Sequence, residues 1–218
     1  MADKPIPFSA PMVRAILDGR KSMTRRVLKP QPYDAGDCRA VHTGGRTWRL
    51  VVLAHAAVGD DWTVPYAPGD LLWVKEAWRA ELAFDWTPPR DIPAGKPIYY
   101  EAAPEETTPD CAGKLRPSRF MCRWMSRLTL EVTDVRVQRL QEISANDCLA
   151  EGIAPVARDS AQNGGGVRGW GLPEHGGLGE PTAIAAFRDL WQSIHGENSW
   201  STNPWVVAVS FVRPAPFP

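Results

Sequence analysis

The chain lacks net charge, long apolar runs and closely spaced metal-binding residues, and each shortage excludes a class of protein. Its 25 lysines and arginines balance 25 aspartates and glutamates, so no overall field draws it to nucleic acid or to a membrane surface. No segment approaches the roughly 20 apolar residues that a membrane-spanning helix needs, and the N-terminus has no signal-peptide run. We therefore expect a cytoplasmic protein that does not associate with membranes.

Cysteine and histidine are both scarce. The four cysteines are widely spaced and form no Cys-x-x-Cys pair, which favours free thiols over a zinc site or a disulfide framework: Cys38, Cys111, Cys122 and Cys148. The four histidines offer no paired general acid and base, and each is predicted to be structural or solvated: His42, His55, His175 and His195. We expect neither a metal nor a cofactor.

Hydrophobic patterning predicts an α+β fold, which we interpret as one domain over residues 1–218. Helices are expected at residues 9–18, 144–151 and 182–195. Strands are expected at residues 47–53, 70–76, 97–101, 127–137 and 205–212. Three insertions rich in turn-forming residues separate these elements, at about 31–45, 82–116 and 154–181. The last is rich in glycine, so it is either a mobile lid over a site or a disordered insertion.

Local signals set several of these boundaries. Ser9 is placed to cap the first helix, which Gly19 ends, and Asp147 is placed to complete a capping box on Ser144. In the expected strand 127–137 the alternation of apolar residues changes phase at Asp134, which predicts a bulge or bend. The expected buried stripe of the last helix is Ile184, Phe187, Leu190, Trp191 and Ile194.

The most informative segment follows the first helix, where residues 20–26 read Arg-Lys-Ser-Met-Thr-Arg-Arg. Lys21 and Thr24 lie three residues apart among three arginines, in a turn that runs into an extended segment. This cluster is either a candidate site or a solvated basic surface.

Three stretches of sequence resemble the ASCH domain, a small β-barrel similar to PUA domains. They are residues 8–26, ending in Gly-Arg-Lys-Ser-Met-Thr-Arg-Arg; residues 68–74, Pro-Gly-Asp-Leu-Leu-Trp-Val; and residues 203–207, Asn-Pro-Trp-Val-Val. The resemblance covers about half the chain, leaves the insertions outside, and is to the longer form carried by phages and prophages. It implies a PUA-like barrel of mixed strands flanked by helices.

Short bacterial members of that family include amidohydrolases that deacylate N4-acetylcytidine. Their lysine, threonine and glutamate fall onto Lys21, Thr24 and Glu151. The resemblance therefore implies an amidohydrolase acting on N4-acylated cytidine, without a metal. From residue type alone, the alternative interpretation of Glu151 is a solvated surface acid.

The residue types suit this chemistry. A threonine hydroxyl needs a neighbouring base to become a nucleophile, and a lysine serves if it is neutral. Nearby arginines and partial burial would lower the pKa of Lys21, and Glu151 would oppose that shift. We expect Thr24 to attack the exocyclic amide, with a backbone N–H or Arg26 receiving the oxyanion. Ser22 is a weaker candidate nucleophile.

Two alternatives remain, a module that binds RNA or a modified base and an ASCH-type ribonuclease. The first rests on a basic stretch without acids, interleaved with Phe120 and Trp124: Lys114, Arg116, Arg119, Arg123 and Arg127.

The expected ligand is a small nucleoside or modified base, with RNA as an alternative partner. The predicted substrate-binding residues are Arg20, Arg26, Glu76, Trp78 and Trp124.

Overall fold

The computed structural model describes residues 2–32, 38–52, 58–103, 109–157, 167–173 and 179–214. They form a mixed α+β structure with a core made mainly of sheets and with few helices. The helices are α1 (Ala10–Leu17), α2 (Ala145–Ala150) and α3 (Ala183–His195). The strands are β1 (Asp3–Pro7), β2 (Met23–Val27), β3 (Cys38–Gly44), β4 (Thr47–Val52), β5 (Val58–Thr63), β6 (Leu71–Lys75), β7 (Trp78–Arg79), β8 (Tyr99–Tyr100), β9 (Thr129–Arg139), β10 (Ala154–Ala157), β11 (Val167–Gly171) and β12 (Trp205–Val212).

The chain divides into two compact units. One comprises Met1–Gly19, Gly69–Glu131 and Val212–Pro218, and the other comprises Arg20–Pro68 and Val132–Phe211. The expected single domain therefore stays a prediction. Within the described ranges no sheet closes into a barrel, and no helix has the length and apolar character needed to cross a bilayer.

In the first unit, β1 runs parallel to β6, and β6 pairs antiparallel with residues 129–131 of β9. A second, short sheet joins β7 to β8. One cluster of its buried residues consists of Trp78, Ala80, Ile92, Met121 and Met125. Helix α1 buries Val13, Ala15 and Ile16 and is followed by Gly19 at φ +73°, the left-handed conformation expected of a helix stop.

In the second unit, β12 lies between β9 and β2, and it pairs antiparallel with β2 from Val206↔Val27 to Ser210↔Met23. Two further sheets have the orders β3-β4-β5 and β10-β11. One core cluster of this unit joins α2 and α3 to the start of β12: Leu140, Ile143, Cys148, Ile153, Leu172, Ala183, Ala186, Phe187, Trp191 and Val206. Strand β12 is buried on both faces, as its sequence predicts.

The helix caps differ from expectation in one respect. Ser144 and Thr182 both accept a hydrogen bond from the backbone N–H three residues later, at 3.1 Å, as N-cap residues should. Ser9 occupies the N-cap position of α1, but its side chain makes no cap hydrogen bond. The prediction that Ser9 caps α1 through its hydroxyl is therefore wrong.

The expected stripe of α3 is only partly correct. Phe187 and Trp191 are buried, but Ile184 and Ile194 are exposed, and the small residues Ala183 and Ala186 take their place in the core. Helical periodicity locates an apolar face, but close packing selects which of its members fit. In β9 the phase change is confirmed, because Thr133 and Asp134 are both exposed between buried Val132 and Val135.

Two of the three insertions hold strands that were not predicted. Strand β3 lies in the first insertion and the β10–β11 pair in the third, whereas β8 in the second falls within the strand expected at residues 97–101. Gly169 is required in β11 because a Cβ there would lie 2.5 Å from the Cα of Gly179. The described part of the glycine-rich insertion is thus ordered, whereas the glycines at 164–166, 176 and 177 lie outside the described residues.

The two serine caps provide a matched test of this local structure. Ser144→Ala should lower the free energy of unfolding by about 1 kcal/mol, because an N-cap hydrogen bond is lost. Ser9→Ala should lower the free energy of unfolding by only a few tenths of that amount, because the Ser9 hydroxyl makes no cap hydrogen bond. Urea unfolding of both variants measures the difference, and equal losses would contradict the assignment.

Candidate functional site

The basic turn is buried, so the interpretation as a solvated basic surface is wrong. Lys21, Thr24 and Arg25 are 3%, 2% and 3% exposed. Lys21 forms an isolated antiparallel bridge with Glu151, and the backbone N–H of Ser22 donates to the carbonyl of Ala150 at 2.8 Å. The turn is therefore fixed against the C-terminal end of α2.

Lys21 and Glu151 form a direct buried ion pair. The Nζ of Lys21 lies 2.7 Å from Oε2 of Glu151 and also donates to its backbone carbonyl at 2.9 Å. Glu151 is the C-cap residue of α2 and is only 4% exposed, so the alternative interpretation as a solvated surface acid is wrong. A carboxylate at a helix C-terminus is unfavourable by itself, and the lysine offsets that cost.

Arg25 holds the other side of the same carboxylate. Its Nη1 lies 3.2 Å from Oε1 of Glu151, and its Nη2 lies 2.6 Å from Oδ2 of Asp147. Arg136 binds the second oxygen of Asp147 at 3.0 Å. Buried Arg25 thereby holds two carboxylates that lie four residues apart along the chain. The side chain of Asp147 binds the arginines, so only half of the expected capping box forms, in which the backbone N–H of Asp147 donates to the hydroxyl of Ser144.

Burial and neighbouring charges act in opposite directions on the ammonium form of Lys21. Burial lowers the pKa of Lys21 below 10.5, Glu151 opposes the shift, and Arg26 and Arg25 lower the pKa further. Burial works to raise the pKa of Asp147, but hydrogen bonds and charge from Arg136 and Arg25 outweigh it and the net pKa is lowered.

The neighbouring thiol is not a competing nucleophile. Burial raises the pKa of Cys148 to about 12, so its thiolate is scarce near neutral pH. All four cysteines are free. Over the described ranges no group of three His, Cys, Asp or Glu side chains is arranged to hold a metal ion.

Thr24 lies on β2 opposite Val209 of β12. Its hydroxyl makes no hydrogen bond within the described part of the chain, and Lys21 bonds to Glu151 rather than to Thr24. Alternation along β2 places Thr24 and Arg26 on one face and Met23 and Arg25 on the other. The expected lysine–threonine hydrogen bond is thus not present in this structure.

A pocket of about 480 Å³, here called the Arg26 pocket, lies in the same unit. Its lining residues are Arg26, Val27, Lys29, Trp191, His195, Ser199, Thr202 and Pro204. The ring centroids of Trp191 and His195 are 4.2 Å apart, so these two rings stack along α3. The pocket was missed from the sequence, where the only signal was the spacing of an aromatic residue and a histidine four positions apart.

Burial and charge both act on the cations of this pocket. Burial lowers the pKa of Arg26, which the phenol of Tyr66 and the carboxylate of Glu151 partly offset. Burial also lowers the pKa of His195, and the charges of Arg26 and Lys29 lower it further. His195 is therefore neutral at pH 7, and the two cations lie close enough to affect it.

Three of the remaining predicted site residues, Glu76, Trp78 and Trp124, lie in the first unit and contact other residues of that unit. Glu76 is buried and receives two hydrogen bonds from Arg127, at 3.0 and 2.9 Å. Trp78 is fully buried, and Trp124 packs against the same cluster. The carboxylate of Glu76 and the indole of Trp78 are thus engaged within the protein and are not exposed to a ligand. Arg20 is half-buried beside Lys21 in the second unit.

The predicted phosphate-binding stretch is largely engaged within the protein. Arg116 is buried and donates to the backbone carbonyls of Phe84, Asp85 and Thr87. Arg123 pairs with Asp3, and Arg127 pairs with Glu76. Three of the five cations of the stretch are thus engaged within the protein. The interpretation of the whole stretch as a row of phosphate contacts is wrong for these arginines.

Comparison of the chain with family models, with curated proteins and with solved structures finds no match in any of the three. The geometry of the buried cluster therefore carries the functional interpretation, and the resemblance to the ASCH domain remains a hypothesis.

Arg25 and Arg136 both bind Asp147, but we expect their replacement by methionine to lower the free energy of unfolding by different amounts. Arg25→Met should lower the free energy of unfolding by about 3 kcal/mol or more, because a buried charge on Glu151 and another on Asp147 lose a partner. Arg136→Met should cost at most about 1 kcal/mol, since Arg136 is 40% exposed and its pairing is weakened by solvent. Denaturant unfolding monitored by tryptophan fluorescence compares them, and similar losses would contradict the central role of Arg25.

Proposed function

We propose that this chain is a hydrolase that removes the acyl group from N4-acylated cytidine, and that it belongs to the PUA-like ASCH domains. The observation that carries the proposal is the buried contact of 2.7 Å between Nζ of Lys21 and Oε2 of Glu151, with buried Thr24 three residues further along the chain. Lysine, threonine and glutamate are the three residues that the resemblance assigns to the chemistry.

Lys21 is the proposed general base. Burial disfavours its ammonium form, while the carboxylate of Glu151 stabilises that form when it arises. Such a lysine accepts a proton during the reaction and releases it again. Arg25 keeps the carboxylate in place through the contact to its second oxygen.

The reaction proceeds in two stages. Oγ1 of Thr24 attacks the acyl carbonyl carbon as its proton passes to Nζ of Lys21. The bond from that carbon to N4 then breaks, and the lysine ammonium returns the proton to N4, which restores the amino group of cytosine. Water attacks the resulting threonine ester, Lys21 takes the proton of that water, and Oγ1 of Thr24 recovers it as the carboxylic acid departs.

The proposal requires one movement. Lys21 hydrogen-bonds to Glu151 in this structure, so Nζ must approach Thr24 when the acyl group is bound. Catalytic hydrogen bonds are often formed only in the substrate complex. The proposed oxyanion partner is a backbone N–H, the donor type that commonly stabilises such an intermediate.

A second candidate function is a module that binds RNA. Trp86 is 94% exposed, and Nζ of Lys114 lies 4.9 Å from the centroid of its ring. Phe120 is also exposed and lies under Arg119 at 4.8 Å. Exposed rings accompanied by cations are typical of surfaces that stack on single-stranded bases.

Release of cytidine from N4-acetylcytidine, followed by chromatography, tests the first proposal. Lys21→Met and Thr24→Val should each reduce kcat/KM by about 10²–10⁴-fold, the range that a proton-transfer group or nucleophile contributes. Ser22→Ala is the control, because Ser22 is exposed and its backbone, not its hydroxyl, makes the contacts of the turn.

The outcomes separate the candidates. Loss of activity in Ser22→Ala with retention in Thr24→Val would overturn the assignment of the nucleophile. A folded protein that releases no cytidine but binds oligonucleotides with strong salt dependence would support the RNA-binding module instead.

A further inference from the structure

We propose that the Arg26 pocket binds the phosphate group of a cytidine nucleotide, so that the substrate is an N4-acylated nucleotide rather than a free nucleoside. The identity of the base rests on the proposed function, whereas the phosphate site rests on the pocket itself. The two claims therefore have separate tests.

The charge of the pocket fits a phosphate monoester. Arg26 and Lys29 contribute two cations, and none of the eight lining residues is acidic. Both cations line the same pocket as His195, and their charges lower the pKa of that ring. A guanidinium and an ammonium together bind a doubly charged oxyanion better than a singly charged one.

The dimensions fit a single nucleotide. A volume of about 480 Å³ is within the range of pockets that hold small molecules, and the stacked rings of Trp191 and His195 form one wall. The hydroxyls of Ser199 and Thr202 donate to the carbonyls of Gly196 and Ser199, at 2.6 and 2.9 Å. Their oxygens therefore remain able to accept hydrogen bonds, as the hydroxyl groups of a ribose would require.

Arg26 connects the pocket to the proposed chemistry. It lies two residues beyond Thr24 on the same face of β2, which separates the two Cα atoms by about 7 Å. Its charge also lowers the pKa of Lys21, and Glu151 acts in turn on Arg26. A nucleotide with its phosphate in the pocket would thus direct its base toward Thr24.

Calorimetric titration with three probes tests the phosphate site: cytidine, cytidine 5′-monophosphate and the dinucleoside phosphate CpC. The monophosphate should bind about tenfold more tightly than cytidine, since charge-assisted hydrogen bonds are added. CpC should bind more weakly than the monophosphate, because its bridging phosphate carries one negative charge whereas the monoester carries up to two.

Lys29→Gln is the diagnostic variant because Lys29 is exposed and its loss leaves the core intact. It should weaken binding of the monophosphate by about threefold to fivefold. Arg188→Gln is the matched control, since it also removes one exposed positive charge from this unit but lies outside the pocket. Its affinity for the monophosphate should stay within about twofold of the native chain.

Equal affinities for cytidine and its monophosphate would overturn the phosphate site, as would equal effects of Lys29→Gln and Arg188→Gln. Tighter binding of CpC would overturn it in favour of an RNA strand. Failure of the proposed function is distinguishable: the native chain would bind the monophosphate in a Lys29-dependent manner yet hydrolyse neither N4-acetylcytidine nor its 5′-phosphate, and the phosphate site would stand.

Discussion

The burial of Lys21 and Arg25 is the constraint on which the second unit depends. Two cations removed from water require carboxylates in direct contact, and Asp147 and Glu151 provide them from one helix. That helix, α2, has only six residues and would not persist alone. The ion pairs, the Ser144 cap and the burial of Cys148 together hold α2 against the basic turn, and this contact assembles the candidate site.

The same arrangement explains how a structural cluster could perform chemistry. Glu151 is shared between Lys21 and Arg25, so its charge is only partly available to hold a proton on the lysine. Burial lowers the pKa of Lys21, while the adjacent carboxylate limits the cost of protonating it during a reaction. A base needs both properties, because it must accept a proton in one step and release it in the next.

Local sequence signals predicted much of the second unit but not its assembly. The cap at Ser144 and the burial of β12 could both be inferred from residue type and spacing. The role of Arg25 could not, since three neighbouring arginines look alike until the fold places one of them between two carboxylates. The Arg26 pocket was missed for the same reason, because β2 and α3 are distant in sequence and only tertiary structure joins them. Exposure of Ile184 and Ile194 shows likewise that periodicity does not determine packing.

The most direct test of this account is an NMR titration of the Lys21 side chain, labelled with ¹³C at Cε, in the native chain and in Glu151→Gln. The account predicts a pKa below 10.5 in the native chain, because burial outweighs the carboxylate, and a still lower pKa in Glu151→Gln, because the carboxylate that favours the ammonium is lost. A native pKa at or above 10.5, or a pKa that does not fall in Glu151→Gln, would contradict the account, since burial and the carboxylate would then not act on Lys21 as described.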